Sequence, residues 1–141
     1  MHYTFRNDNH LFLNACPHHF RKREGHLESI THVTVIINQP CIEFWLLLHF
    51  EFTQAPFDDC GRAESRLKSH LTDYSKSQKY YTKEGDDIYL KLKERLPTAI
   101  ANSQRFAAFD LETPDKGYSE MLELFKILGL LKEEKGMWVL K

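Results

Sequence analysis

The chain has 141 residues, of which 42% are hydrophobic and 28% charged, so it is long enough for one domain and too apolar for general disorder. Its 19 basic and 20 acidic residues leave a net charge of −1. Overall charge therefore gives no indication of a nucleic-acid or membrane surface. The longest apolar run, residues 44–48, is too short to cross a bilayer.

The first 31 residues differ from the rest of the chain. They hold five of the eight histidines, little apolar periodicity and the basic run His18-His19-Phe20-Arg21-Lys22-Arg23. We predict loop or poorly ordered structure there, and a strand plus a helical domain in residues 32–141. The sequence shows no basic stretch followed by an apolar run, so we expect no secretory signal. Three widely spaced cysteines favour a reducing compartment, so a cytoplasmic location is expected.

A β-branched run at residues 33–37 predicts a buried strand. Asn38 is expected to cap the following helix, and Pro40 to lie in its first turn, where a missing N–H costs nothing. The helix predicted for residues 41–52 is apolar on nearly all sides, which indicates a position inside the core.

The remaining sequence alternates helical patterns with polar turns. Asp86 or Asp87 is expected to cap one helix, Ser119 to cap another, Gly129 to end that helix and Gly136 to permit a turn. Residues 72–87 are predicted to form a turn or a mobile segment. The other predicted elements are helices at 61–71, 88–96, 97–108 and about 119–128, and a closing strand at 137–140. The fold class is therefore α/β and mainly helical, with a small sheet followed by a C-terminal helical bundle.

Glu43 is the strongest candidate for a functional residue. A carboxylate in an apolar helix must reach water, find a partner or become neutral. A purely structural role has equal weight, because a glutamate in a first helical turn is stabilised by free N–H groups and by the helix dipole.

His49 is the second catalytic candidate, although a packed histidine near a helix end is the more common case. Helical geometry places Trp45 and His49 on one face and Glu43 on another, so a Glu43–His49 dyad is not expected. Zinc is not expected either, since the histidines and cysteines lack ligand spacing.

Tyrosines and lysines alternate in residues 73–83. Such a mixture can stack on bases and contact phosphates, and Lys76 is the candidate phosphate contact. The favoured alternative is a solvated loop with aromatic anchors. Arg21, Lys22 and Arg23 provide a weaker candidate for phosphate contacts.

The chain resembles the RloB-like family in three places. The most specific match is Asn38-Gln39-Pro40-Cys41-Ile42-Glu43-Phe44-Trp45-Leu46-Leu47-Leu48-His49-Phe50. Asp73-Tyr74-Ser75-Lys76 is similar to the family's Y-x-K element, and Ala99-Ile100-Ala101-Asn102-Ser103 to a later helix. The resemblance covers about residues 32–130 and implies a bacterial phage-resistance protein whose N-terminal half is Toprim-like.

A Toprim domain holds Mg²⁺ with acidic side chains, so the resemblance implies a metal site containing Asp8 and Glu43. Residues 5–10 match a family segment in which Arg6 and Asn9 replace acids, and no early strand with its glutamate is present. The Mg²⁺ site is therefore expected to be incomplete, and residues 1–31 to be a degraded remnant of the Toprim-like half.

Three functions follow as hypotheses. The first is a phage-defence protein, of the abortive-infection type, acting on nucleic acid as a magnesium-dependent nuclease, with Glu43 and His49 catalytic and Asn38 and Lys76 contacting substrate. The second is a non-catalytic helical module that binds other defence-system proteins. The third is an inactive, truncated fragment. No membrane partner is expected.

Overall fold

A computed structural model describes residues 5–6, 10–14, 34–107 and 116–141. Strands and helices alternate along the chain. In order they are β1 (Phe5–Arg6), β2 (His10–Asn14), β3 (Thr34–Gln39), α1 (Ile42–Leu47), α2 (Cys60–Lys68), α3 (Gln78–Tyr81), α4 (Ile88–Leu92), a 3₁₀ turn (Lys93–Arg95), α5 (Leu96–Ser103), β4 (Tyr118–Ser119), α6 (Met121–Ile127), β5 (Leu131–Glu134) and β6 (Met137–Leu140). The α/β class predicted from the sequence is correct.

The first four strands form one mixed sheet in the order β1-β2-β3-β4. β2 and β3 are parallel, with Phe12 opposite Ile36 and Asn14 opposite Asn38. The outer pairs are antiparallel. Loop was predicted where β1 and β2 lie, because runs of two and five residues are too short to show a period.

The junction between β3 and α1 differs from the prediction. β3 continues through Gln39, Pro40 precedes the helix, and Cys41 is the N-cap residue, with no side-chain capping bond. Asn38 remains in the strand, where its Oδ1 accepts a 2.6 Å hydrogen bond from the hydroxyl of Ser119 in β4. The predicted capping role of Asn38 and the predicted first-turn position of Pro40 are both wrong.

α1 forms the centre of the core, as its apolar sequence predicted. Phe44, Leu47 and Leu48 are fully buried. The helix is shorter than predicted: it ends at Leu47, and the Leu48 carbonyl accepts a 2.8 Å bond from Asn102 Nδ2 in α5. Leucines and other apolar side chains from the surrounding elements cover α1, among them Ala63, Leu67, Leu92, Ile100 and Leu122.

Three polar side chains begin the helices that follow α1. Asp59, Ser77 and Asp87 accept hydrogen bonds from backbone N–H groups of α2, α3 and α4. The capping predicted for Asp87 is thus confirmed. α3 lies inside the segment predicted as turn or mobile, because a four-residue helix has no apolar stripe that periodicity could reveal.

The chain ends in a β-hairpin of β5 and β6. Gly129, at φ +67°, ends α6, and Gly136, at φ +79°, forms the hairpin turn, both as predicted. β5 was not predicted, since Leu-Lys-Glu-Glu lacks the alternation of a half-buried strand. Within the described residues, no helix has the length and apolar character needed to cross a membrane.

The side chain of Gln104, the residue that follows α5, is hydrogen-bonded to the hairpin. The Gln104 amide accepts a 2.6 Å bond from the Trp138 N–H and donates a 2.9 Å bond to the Trp138 carbonyl. This pair of bonds has the pattern that a neighbouring strand would supply.

Candidate functional site

Glu43 lies just beyond the carboxyl end of β3, in the first turn of α1, and is only 2% exposed. Because β2 and β3 are parallel, their carboxyl ends meet at this edge of the sheet. Sites in open α/β sheets commonly form at such an edge. Glu43 thus follows the strand that the sequence predicted, at the edge of the sheet where the two parallel strands end.

Glu43 and three polar side chains near it, Tyr74, Lys76 and Tyr81, form what we call the Glu43 cluster. The Tyr74 hydroxyl donates a 2.8 Å hydrogen bond to Glu43 Oε1, and the Lys76 ammonium lies 3.1 Å from the same oxygen. The hydroxyls of Tyr74 and Tyr81 are 2.7 Å apart. The buried carboxylate therefore has both a cationic and a neutral donor.

The loop after α2 brings Tyr74 and Lys76 to Glu43. The Tyr74 N–H bonds to the Leu71 carbonyl, and Ser77 ends the loop by capping α3. The Tyr74 ring packs edge-on against Tyr80, with 5.4 Å between their centroids. Aromatic packing thus fixes the position from which the Tyr74 hydroxyl reaches the carboxylate.

The Glu43 carboxyl is ionised despite its burial. Burial by itself raises its pKa, but hydrogen bonds from Cys41, Tyr74, its own backbone N–H and Lys76 together outweigh that effect and leave the pKa below the ordinary value of 4.5. Burial likewise raises the pKa of Tyr74, with further contributions from Tyr81 and Glu43, so the phenol keeps its proton and acts as a donor.

We expect Glu43→Gln to lower the free energy of unfolding at about pH 7 by roughly 2 kcal/mol, since bonds to a charged group contribute more than bonds to a neutral one. A carboxyl whose pKa is lower in the folded state stabilises the fold above its unfolded pKa. That stabilisation is lost as the pH falls from 4.5 through the folded pKa. The difference between wild type and variant should therefore shrink in acid, as measured by urea unfolding across this range.

Glu123→Gln is the matched control for this measurement. Glu123 lies at the surface, 52% exposed, and pairs with Lys126 within the same helix. Its loss should cost little stability, because surface ion pairs contribute little. A Glu43→Gln deficit that stayed constant from neutral pH into acid would contradict the ionised state of Glu43.

Two free cysteines border the cluster. Cys41 is buried, and Cys60 Sγ donates a 3.4 Å bond to the Pro40 carbonyl. Burial, followed by hydrogen bonds with Cys60 and Glu43, raises the pKa of the Cys41 thiol. Cys41 is consequently a protonated donor to the site and not a thiolate nucleophile.

His49 packs away from the Glu43 cluster. Its Nδ1 is 3.2 Å from the Trp45 carbonyl, and its ring lies edge-on against the Trp45 indole. Burial lowers the pKa of His49, which keeps the ring neutral. In the described part of the chain, no hydrogen bond or ion pair joins His49 to Glu43, in line with the helical geometry.

The other predicted site residues have different positions. Asn38 is 1% exposed and bound to Ser119. Tyr74 and Tyr80 are buried and pack on each other, which favours the interpretation of residues 73–83 as a loop with aromatic anchors. Asp8 and the basic run of residues 18–23 lie outside the described residues.

The Glu43 cluster does not fit Mg²⁺. This ion requires near-octahedral oxygen coordination, usually with carboxylates. Glu43 is the one carboxylate of the cluster, and the Lys76 ammonium already occupies the space beside its Oε1. Among residues 34–107 and 116–141, no group of three or more His, Cys, Asp or Glu side chains is placed to hold a metal ion.

Sequence reasoning did not place Tyr74, Lys76 and Tyr81 beside Glu43. The available signal was the match of residues 73–76 to a second motif of the family that carries the Glu43 motif. Two motifs that recur in one family often contribute to one site, but their spacing of about 30 residues gives no geometry.

A comparison with known protein families identifies the family of the chain. The family described as RloB-like protein matches residues 7–128. The chain belongs to the RloB-like family. The matched region of this RloB-like chain contains the whole Glu43 cluster and ends before the β5–β6 hairpin. Neither a search of curated proteins nor a search of solved structures found a significant match.

Proposed function

We propose that this RloB-like chain acts in bacterial defence against phage, through abortive infection, with nucleic acid as its target and the Glu43 cluster as its functional centre. Membership of the family supports the defence role. The buried ionised Glu43, held by Tyr74 and Lys76, is the observation that supports the centre, because burying a charge has a cost that packing alone does not require.

Lys76 is the most exposed group of the cluster. Its side chain is 47% exposed, whereas that of Glu43 is 3% exposed. The ammonium has three N–H donors and lies 3.1 Å from Glu43 and 3.3 Å from Glu64, so two donors suffice for these ion pairs. The remaining N–H is available to a phosphate oxygen, while Glu43 fixes the position of the ammonium.

The family resemblance extends the proposal to a Toprim-type magnesium centre that includes Asp8. Magnesium would supply Lewis acidity to phosphate chemistry there. Since the Glu43 cluster does not fit the ion, no step is assigned to it. His49 is left outside the proposed centre because its contacts are with Trp45.

Phage plating tests the proposed function. Bacteria that express the wild-type chain should resist part of a phage panel, and Glu43→Gln should restore plaques to the level of cells with an empty plasmid. Purified wild type should also bind or degrade nucleic acid, which is tested with single and double strands and with and without Mg²⁺. Glu43→Gln should abolish this binding or degradation.

Glu123→Gln provides the control, since it removes a carboxylate with no link to the cluster. Immunoblots and melting curves establish that each variant is present and folded under the plating conditions. Equal resistance with wild type and folded Glu43→Gln would remove the Glu43 cluster from the proposed function.

A protein-interaction module is the second candidate. Ile127, Leu128 and Leu130, around the end of α6, are 44–50% exposed. Exposed apolar side chains that are close in sequence are typical of contact surfaces, and other defence-system proteins would be the partners. In that case resistance would survive Glu43→Gln and be lost in Leu128→Asp.

A further inference from the structure

Lys76 bridges two carboxylates of different environment. Its ammonium lies 3.1 Å from buried Glu43 and 3.3 Å from Glu64, which is partly exposed. Glu64 also pairs with Lys68 at 2.7 Å. Glu43 has no second cationic partner among the described residues. In the described part of the chain, Lys76 is thus shared at the surface end of the network and is the one cation paired with the buried carboxylate.

A divalent ion on Oε1 of Glu43 would compete with Lys76 for one position. Mg²⁺ lies about 2 Å from its oxygen ligands, so an ion on Oε1 would lie within a few ångströms of the ammonium already there. The Tyr74 hydroxyl donates to the same oxygen. An ion on Oε1 would therefore have to displace Lys76 and turn the hydroxyl away, because an ammonium cannot act as a ligand and a protonated phenol points its hydrogen at the oxygen.

We infer that Lys76 is the counter-ion of Glu43 and occupies the place that a divalent cation takes in a carboxylate metal site. The Glu43 centre accordingly works without a metal ion bound to Glu43. This inference rests on the proposed function for its biological meaning, but its geometry does not depend on it. Lys76 compensates the charge of Glu43 in this scheme, and its third N–H is available to a phosphate of an incoming nucleic acid.

Mn²⁺ binding, followed through the electron paramagnetic resonance signal of the free ion, tests the inference. Wild type and Glu43→Gln should bind Mn²⁺ equally. Lys76→Met should bind it about tenfold more tightly than wild type, which corresponds to about 1.4 kcal/mol. Adding Glu43→Gln to Lys76→Met should abolish the gain, since the freed carboxylate would be its source.

Lys68→Met is a close control. Lys68 and Lys76 have nearly equal exposure, 46% and 47%, and both pair with Glu64, but only Lys76 contacts Glu43. Lys68→Met should gain no affinity for Mn²⁺. Lys76→Arg, which retains the charge, should gain none either.

Two results would overturn the inference. One is a wild-type affinity for Mn²⁺ that falls about tenfold in Glu43→Gln; the other is a folded Lys76→Met variant with no gain. Nuclear magnetic resonance of the wild type alone gives an independent measurement, in which selective broadening of the Glu43 and Phe44 amides by Mn²⁺ would also overturn it. Plating assays report separately on the defence function, so the two proposals can fail independently.

Discussion

Phe44→Ala is expected to lower the free energy of unfolding by about 3–5 kcal/mol, the usual cost of truncating a fully buried phenylalanine. The Phe44 ring is 0% exposed and lies 5.6 Å from the Phe57 ring and 5.7 Å from the Phe106 ring, measured between centroids. Its removal leaves a cavity among elements that are distant in sequence, and the short helix α1 cannot shift to fill it without moving Glu43.

Urea unfolding followed by circular dichroism measures this loss. Tyr89→Ala serves as the control, since Tyr89 is also on a helix but is 66% exposed. Its truncation should cost within about 0.5 kcal/mol. Similar losses in the two variants would contradict the central position of Phe44 in the core.

Gly117→Ala is expected to lower the free energy of unfolding by about 3 kcal/mol, at the upper end of the cost of overpacking. A Cβ added at Gly117 would lie 2.1 Å from Cε2 and 2.6 Å from Cζ of Phe44. The ring cannot turn away easily, because Phe57 and Phe106 pack against it. Thermal unfolding should show a correspondingly lower midpoint.

A double variant identifies the ring as the cause. Phe44→Leu removes the atoms that the new Cβ would strike, so Gly117→Ala should cost about 1–2 kcal/mol less in that background. Gly61→Ala is the matched glycine control: its Cβ would meet only the Asp59 side chain, at 3.1 Å. Strict additivity of Gly117→Ala and Phe44→Leu would exclude the proposed clash.

Local chemistry predicted several elements correctly. The apolar surface of α1 predicted its burial, and Asp87, Gly129 and Gly136 have the positions that capping and turn preferences indicate. Each of these predictions depends on a few neighbouring residues. Interactions of this kind are encoded within a short window of sequence.

Pairing partners from distant parts of the chain explain the wrong predictions. Asn38 has the side chain of a helix cap, yet it remains in β3 because Ser119, 81 residues later, bonds to it. β2 and β5 are short and their sequences lack a regular pattern. They are strands because they pair with β3 and β6. Tertiary contacts of this kind override local propensity.

The candidate site was predicted in part for the same reason. Glu43 could be recognised because a charge in an apolar helix is conspicuous within a short window. The contacts of Tyr74 and Lys76 with it depend on how the loop after α2 packs against α1, which no local pattern specifies. Lys76 was selected for its charge, whereas its ion pair with Glu43 could be found only from the structure.

The pair of hydrogen bonds between the Gln104 side chain and the Trp138 backbone limits self-association through the hairpin. A two-stranded hairpin presents outward-facing amides that can recruit a strand from another molecule and begin aggregation. At Trp138 both outward groups are already bound by the Gln104 amide. The side chain of Gln104 thus closes this position of β6 to strand addition, although β6 is an edge strand.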